Sequence, residues 1–148
     1  MELSAFIEKV RRRESLAGHD LTGVDPFAMD LGGIDLKGAD LSREHVPVAA
    51  GGTYWPSSSD SARRMRRRVR LRGADLGGAN LDRILGEFGD LRGAHLRDAS
   101  LVEADLRHAD LTLADLSGAD LTGANLQGAM MAGAKWDDMT RWPEEFTP

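Results

Sequence analysis

Cysteine is absent from the 148 residues, so neither a disulfide nor a thiolate metal site can be built from this chain. That absence fits a reducing compartment. No apolar run approaches the length of a membrane span. The opening Met1-Glu2-Leu3-Ser4-Ala5-Phe6-Ile7 is followed by charge at Glu8 and Lys9, unlike the apolar stretch of a secretory signal. Catalytic signatures are missing too: there is no glycine-rich phosphate loop ending in Lys-Ser/Thr, no H-E-x-x-H and no G-x-S-x-G. The four histidines, His19, His45, His95 and His108, are dispersed. These absences predict a cytoplasmic, non-membrane protein with no catalytic residue, cofactor or metal. Its length is that of one domain, enough to bury a core.

The net charge of −5 conceals a segregation. Residues 15–45 carry −4 and residues 71–148 carry −7, whereas residues 46–70 carry +5 through six arginines against Asp60. An acidic body with one basic segment repels nucleic acid overall and attracts basic surfaces.

What the chain does have is leucine at every fifth residue. Of the 13 places in this register between 71 and 131, 11 hold leucine, and only Gly86 and Met131 differ. The set is Leu71, Leu76, Leu81, Leu91, Leu96, Leu101, Leu106, Leu111, Leu116, Leu121 and Leu126. Alanine stands two before at ten of the 13 places, and Asp or Asn often stands directly before. Leu16, Leu21, Leu31, Leu36 and Leu41 keep the same phase, 30 residues ahead of the second block. A short fixed period marks a solenoid, whose units are too small to fold alone. The leucines are therefore its core.

The tandem A-[DN]-L-x-x units, such as Ala104-Asp105-Leu106 and Ala109-Asp110-Leu111, resemble the pentapeptide-repeat family. The ending Trp136-Asp137-Asp138-Met139-Thr140-Arg141-Trp142-Pro143 resembles the tails of its bacterial members. The resemblance covers about residues 15–46 and 69–143. It implies an all-β solenoid, a right-handed quadrilateral parallel β-helix in which four pentapeptides make one square coil. The central residue and the small residue two before it then face inward. Coils stacked about 4.8 Å apart leave room only for a small residue there.

On this reading residues 1–14 are a helical cap, 15–46 the first repeat block, 47–68 a loop excursion, 69–138 the second block and 139–148 a closing tail. Both ends of such a stack need cover. Leu3, Phe6, Ile7 and Val10 fall on one helical face, Ser4 is placed to cap that helix, and Arg11-Arg12-Arg13 follow near its C-terminal end. Trp136, Met139, Trp142 and Phe146 are expected to close the other end. At Ile84-Leu85-Gly86, either Ile84 or Leu85 turns inward to replace the missing leucine, or the coil bulges.

The square coil places residues 20 apart in one column. His95 then falls between Asp75 and Asp115, which imitates an acid–base or metal site, although outward positions on a flat wall exclude no water. Arg83 stacks on Glu103 and Glu87 on Arg107 as exposed ion pairs, each worth at most about 1 kcal/mol. Asp90 and Asp110 share one wall, and Asp20 and Asp40 another. In the excursion, Arg63, Arg64, Arg66, Arg67 and Arg68 are dense enough to hold phosphate or an acidic partner, and Tyr54 and Trp55 can stack or anchor. Plainer readings are that the run lies against the protein's own acidic wall or in solvent.

The expected function is a non-enzymatic scaffold that binds another macromolecule, a protein first, through the acidic walls and the 47–68 excursion. The resemblance implies a second reading, because quinolone-resistance members of the family mimic DNA and bind DNA gyrase. Those members are longer and end in a dimerising helix, whereas this chain ends in a Trp-Pro tail. An enzyme, or an accessory protein of an enzyme pathway, using His95 or His108 is a third. Direct nucleic-acid binding by the arginine run is disfavoured by the acidic body.

Overall fold

The structure is a computed structural model and describes residues 1–22, 30–42 and 69–148. A corner follows every five residues, so no continuous strand develops. Instead a single residue in each unit makes a parallel bridge to the coils on either side. Arg70, Asp90, Asp110 and Met130 form one such column, and Asp75, His95, Asp115 and Lys135 the next. Asn80, Ser100 and Asp120 form the third, and Leu85, Asp105 and Asn125 the fourth. Four units therefore complete a turn, and the Asp90 wall lies opposite the Ser100 wall.

The first block joins the second without a break in this register. Asp20 bridges Asp40 at the ordinary offset of 20 residues, but Asp30 bridges Arg70, Asp35 bridges Asp75 and Asp40 bridges Asn80, each 40 residues on. The interval between the blocks thus holds one full coil of chain more than the stack uses. The excursion expected at 47–68 falls in that interval, outside the described residues.

Inside, the pattern read from the sequence holds. All eleven leucines from Leu71 to Leu126 are at most 5 % exposed, as are Leu16, Leu21, Leu31, Leu36 and Leu41. Each contributes roughly 1.5–3 kcal/mol of burial before chain entropy is charged against it. The alanines two before are buried beside them, from Ala74 to Ala124. At the irregular unit it is Ile84 that turns inward and is buried, while Leu85 is only half-buried. Large and small have changed places: Ile84 stands where alanine usually does, and Gly86 where leucine does. Leu106 occupies the vacated space, its Cδ2 2.9 Å from where a Cβ on Gly86 would lie. No bulge forms, because Leu85 still bridges Asp105 and the Phe88 N–H still donates to Arg107 O at 2.9 Å.

The N-terminal end is covered by α1, Leu3–Arg11, which buries Phe6 and Val10 on the core and carries Lys9 and Arg11 in its last turn. Ser4 does not cap it. The helix starts two residues earlier than a Ser4 cap would set, with Glu2 at the N-cap and no side-chain cap bond, so Ser4 lies within the first turn. At the C-terminal end Trp142 packs edge-on against Trp136 and stacks on Phe146, and both Trp142 and Phe146 lean on the core. Met139 takes no part in this closure and is 73 % exposed. The lock is polar: Thr140 is buried and its Oγ1 donates to Leu116 O at 3.0 Å, while Asp137 Oδ1 accepts from the Gly118 N–H at 2.9 Å. Here the column steps by 21, from Asp120 to Arg141, and the register ends.

The exchange at Ile84 and Gly86 makes the two positions strongly coupled. Gly86→Leu alone overpacks against Leu106 and is expected to lower stability by about 1–3 kcal/mol. Ile84→Ala alone leaves a cavity and costs a similar amount or more. Together they restore the ordinary unit, so urea unfolding of the double variant should show a loss well below the sum of the two.

Candidate functional site

Each corner of the coil leaves one backbone N–H without a partner in the neighbouring coils, and at most corners the residue before leucine supplies the acceptor. The unit 109–113 shows the full accounting. Ala109 N–H donates to Leu106 O at 3.0 Å, Asp110 N–H to Gly89 O at 2.8 Å, Leu111 N–H to Met130 O at 2.8 Å and Leu113 N–H to Ala132 O at 3.0 Å. The remaining donor, Thr112 N–H, goes to Asp110 Oδ1 at 3.0 Å. The same bond recurs at Asp20, Asp30, Asp35, Asp40, Asp75, Asn80, Asp90, Asp105, Asp115, Asp120 and Asn125. This is a local side-chain turn of the kind short Asx side chains make best. Where Ser100 replaces the Asx residue, Asp82 of the preceding coil accepts from the Val102 N–H at 3.0 Å and from Ser100 Oγ at 2.6 Å. The Asp rows are therefore first a backbone device, a role the sequence pattern did not disclose.

These bonds hold several carboxylates below their ordinary range. Asp120 is lowered by the Thr122 hydroxyl and then by the Thr122 N–H, and Asp20 in the same way by Thr22. Asp137 is lowered chiefly by the Gly118 N–H. Asp90 is lowered by the Arg92 guanidinium, which donates to both its oxygens at 2.8 and 2.6 Å.

Asp90 and Asp110 do share a wall, as expected, but not as bare charges. Arg92 Nε also lies 3.7 Å from Asp110 Oδ2, so one guanidinium serves both carboxylates. That wall, with Asp30, Arg70 and Arg72, carries as many cations as anions. The opposite wall is the acidic one, with Asp20, Asp40, Asp82 and Asp120 against Arg141. His95 does stand between Asp75 and Asp115 and is exposed, and no cluster of metal-ligating side chains occurs among the described residues. The ion pairs expected across coils are present, Arg83 to Glu103 at 2.7 Å and Arg107 to Glu87 at 3.6 Å. Arg107 also grips Asp105 at 2.6 Å, which holds its guanidinium more firmly protonated. Tyr54, Trp55, Arg63, Arg64, Arg66, Arg67 and Arg68 lie outside the described residues.

A feature missed in the sequence sits on the Asp90 wall. A shallow open depression of about 540 Å³ is lined by Arg70, Phe88, Gly89, Asp90, Arg92, His108, Asp110 and Met130. Phe88 and His108, one coil apart, stack with ring centroids 4.9 Å apart. Phe88, His108 and Leu113 occupy corners with φ of 57°, 56° and 61°, where Gly73, Gly93 and Gly128 serve elsewhere. An L side chain held in that left-handed region costs roughly 1–2 kcal/mol. No helix among the described residues is long and apolar enough to cross a membrane.

A family model of pentapeptide repeats matches residues 90–128, with 8 copies. Among solved structures the chain is similar to a pentapeptide repeat protein (Rfr23) from the cyanobacterium Cyanothece 51142. Identity is 25 %, TM-score 0.52, and the match covers 95 % of this chain and 99 % of that one. It is also similar to alr5209, a pentapeptide repeat protein from Nostoc Pcc 7120, at 30 % identity and TM-score 0.42 over 98 % of this chain and 88 % of that one. A pentapeptide repeat protein from the Arabidopsis thaliana thylakoid lumen matches at 28 % identity and TM-score 0.42, over 90 % and 64 % of the two chains. A search of curated proteins finds no match.

The carboxylate at the corner makes a prediction about acid. Each lowered Asp adds stability that is fully present above its unfolded value of about 3.9 and is lost as pH falls through the lower folded value. Asp120→Ala should cost about 1 kcal/mol at neutral pH, and Asp120→Asn less, because the amide oxygen still accepts from Thr122. The gap between the native protein and Asp120→Asn, measured by denaturant melts, should close as pH drops below about 4.

Proposed function

Because this chain belongs to the pentapeptide-repeat family, we propose that it is a non-enzymatic scaffold that binds a protein partner through its acidic walls and the 47–68 excursion. The coil is taken to have the right hand of the family's quadrilateral β-helix. The observation that carries the reading is the complete use of backbone donors within a unit such as 109–113. The walls are thereby rigid platforms that present side chains alone, and rigidity lowers the entropy lost on association. The wall of Asp20, Asp40, Asp82 and Asp120 suits a basic surface and would steer it by charge.

A DNA mimic acting on gyrase draws on Asp20 and Asp40, which stack in adjacent coils. Asp90 and Asp110 support it less, since Arg92 lies between them. On that reading Asp20→Asn with Asp40→Asn weakens protection of gyrase from a quinolone in a supercoiling assay more than Asp90→Asn with Asp110→Asn does. Absence of protection by the native protein ends that reading.

For the scaffold itself, affinity capture from bacterial lysate should be run on three forms. These are the native protein, one with residues 47–68 replaced by a short Gly-Ser link, and one with Asp20, Asp40 and Asp120 changed to Asn. The Asn changes keep each corner acceptor, so a loss of captured protein reports on charge and not on folding. A specific protein retained by the native form and lost from either variant is the expected result. Capture that neither variant alters would end the assignment of binding to these features.

A further inference from the structure

Resting on the scaffold reading, we propose that the Asp90 wall is a second docking face, built for an acidic amphipathic helix of a partner protein. The corner rule supplies the first argument. On this wall Asp30, Asp90 and Asp110 obey it, and the two departures are Arg70 and Met130. A guanidinium has no acceptor and a thioether only a weak one, so both positions forgo the bond that stabilises the corner. Both of these residues line the same depression. The same departure occurs at His95 and Lys135 on the next wall, so it is the shared depression that sets Arg70 and Met130 apart.

The chemistry of the depression defines the occupant. Its lower part is apolar: the stacked Phe88 and His108 form a flat ridge, and Met130 is 52 % exposed. Leu113, 68 % exposed, stands at the far corner of the same wall, over Gly133. Its upper part is cationic. Asp90 is taken by Arg92 and Asp30 by Arg13, and no ion pair among the described residues engages Arg70 or Arg72. Apolar side chains of a partner therefore fit below and its carboxylates above, which is the pattern of an acidic amphipathic segment. Most backbone donors of the wall, as at 109–113, are consumed within the stack, and the corner N–H groups left at Arg72 and Ala132 stand three coils apart, so an extended strand finds no edge to pair with here. From Arg70 to Met130 is three coil steps, about 14 Å, the length of about ten helical residues. A helix about 10–12 Å across matches a wall bounded by two corners.

The test uses the full chain and a labelled synthetic peptide of about 14 residues, with Leu on one helical face and Glu on the other. Controls are the same composition scrambled, the same peptide with Lys for Glu, and vesicles of anionic lipid. Fluorescence anisotropy is expected to show binding of the acidic amphipathic peptide only. Met130→Ser and Arg70→Gln, both at exposed positions and checked for unchanged melting, should each weaken it by about tenfold. Loss of binding at higher salt should be smaller for Arg70→Gln than for the native protein. No binding of the peptide, equal binding of the scrambled or Lys forms, Met130-dependent binding of vesicles instead, or unchanged affinity in both variants overturns the proposal. Lysate capture separates this failure from that of the scaffold. A partner retained by Met130→Ser and Arg70→Gln but lost from the Asp20, Asp40 and Asp120 variant removes this face and leaves the scaffold standing.

Discussion

The N–H group that points away from the neighbouring coils at each corner governs much of this molecule. A coil of five-residue units turns too sharply for a strand, and four of its five donors find carbonyls above, below or within the unit. The fifth faces outward at the corner, where a carboxylate or amide two residues earlier reaches it with one rotation about χ1. Asp and Asn are short enough for that geometry and Glu and Gln are not. The leucine column supplies the driving force of folding, but it is non-directional. The corner bond fixes where each unit must turn, and so keeps four columns in register over the stack.

This changes what charge can be taken to mean. Read as a surface, the Asp rows look like a designed anionic ladder. Read as corners, most of them are present because the backbone requires an acceptor, and their charge is incidental to that need. Asn80 and Asn125 do the same work with no charge at all. Arg92, Arg97, Arg107 and Arg141 then offset Asp90, Asp115, Asp105 and Asp120 in turn. A net charge of −5 on the chain therefore overstates the field over much of the surface, and the wall of Asp20, Asp40, Asp82 and Asp120, with Arg141 alone against it, keeps an excess of carboxylates.

The fold was legible because its core is periodic: leucine every five residues, with alanine two before, admits few packings. The columns followed from the square coil, and the pairs Arg83–Glu103 and Glu87–Arg107 stood where the offset of 20 put them. What stayed hidden depends on geometry that no periodicity encodes. Ile84 and Leu85 were equal candidates until the backbone direction of the corner chose Ile84. Ser4 looked like a cap, but the helix opens at Leu3, with Glu2 at the N-cap and no side-chain cap bond. Thr140 passed as part of a tail, whereas its hydroxyl reaches a carbonyl of the coil below. The depression at Phe88, His108 and Met130 joins residues from three coils, a grouping that no single unit reveals.

Repeat architecture also separates two ways of acquiring function. Across the interval between the blocks the bridges step by 40, so a coil's worth of chain was added while Asp30, Asp35 and Asp40 still found partners. Contacts in a solenoid are between neighbours, and loop closure grows only slowly in cost with length, so insertions there leave the stack almost unaffected. Substitutions on a wall are held more tightly, because most outward residues before leucine have a backbone donor to satisfy. Arg70 and Met130 give up that acceptor, and Phe88 and Leu113 take left-handed corners that glycine would fill at less cost. Their effects oppose folding and nothing in the core offsets them. A departure that the fold itself resists carries more information about function than an insertion that it tolerates, most of all where several share one depression, as Arg70, Phe88 and Met130 do.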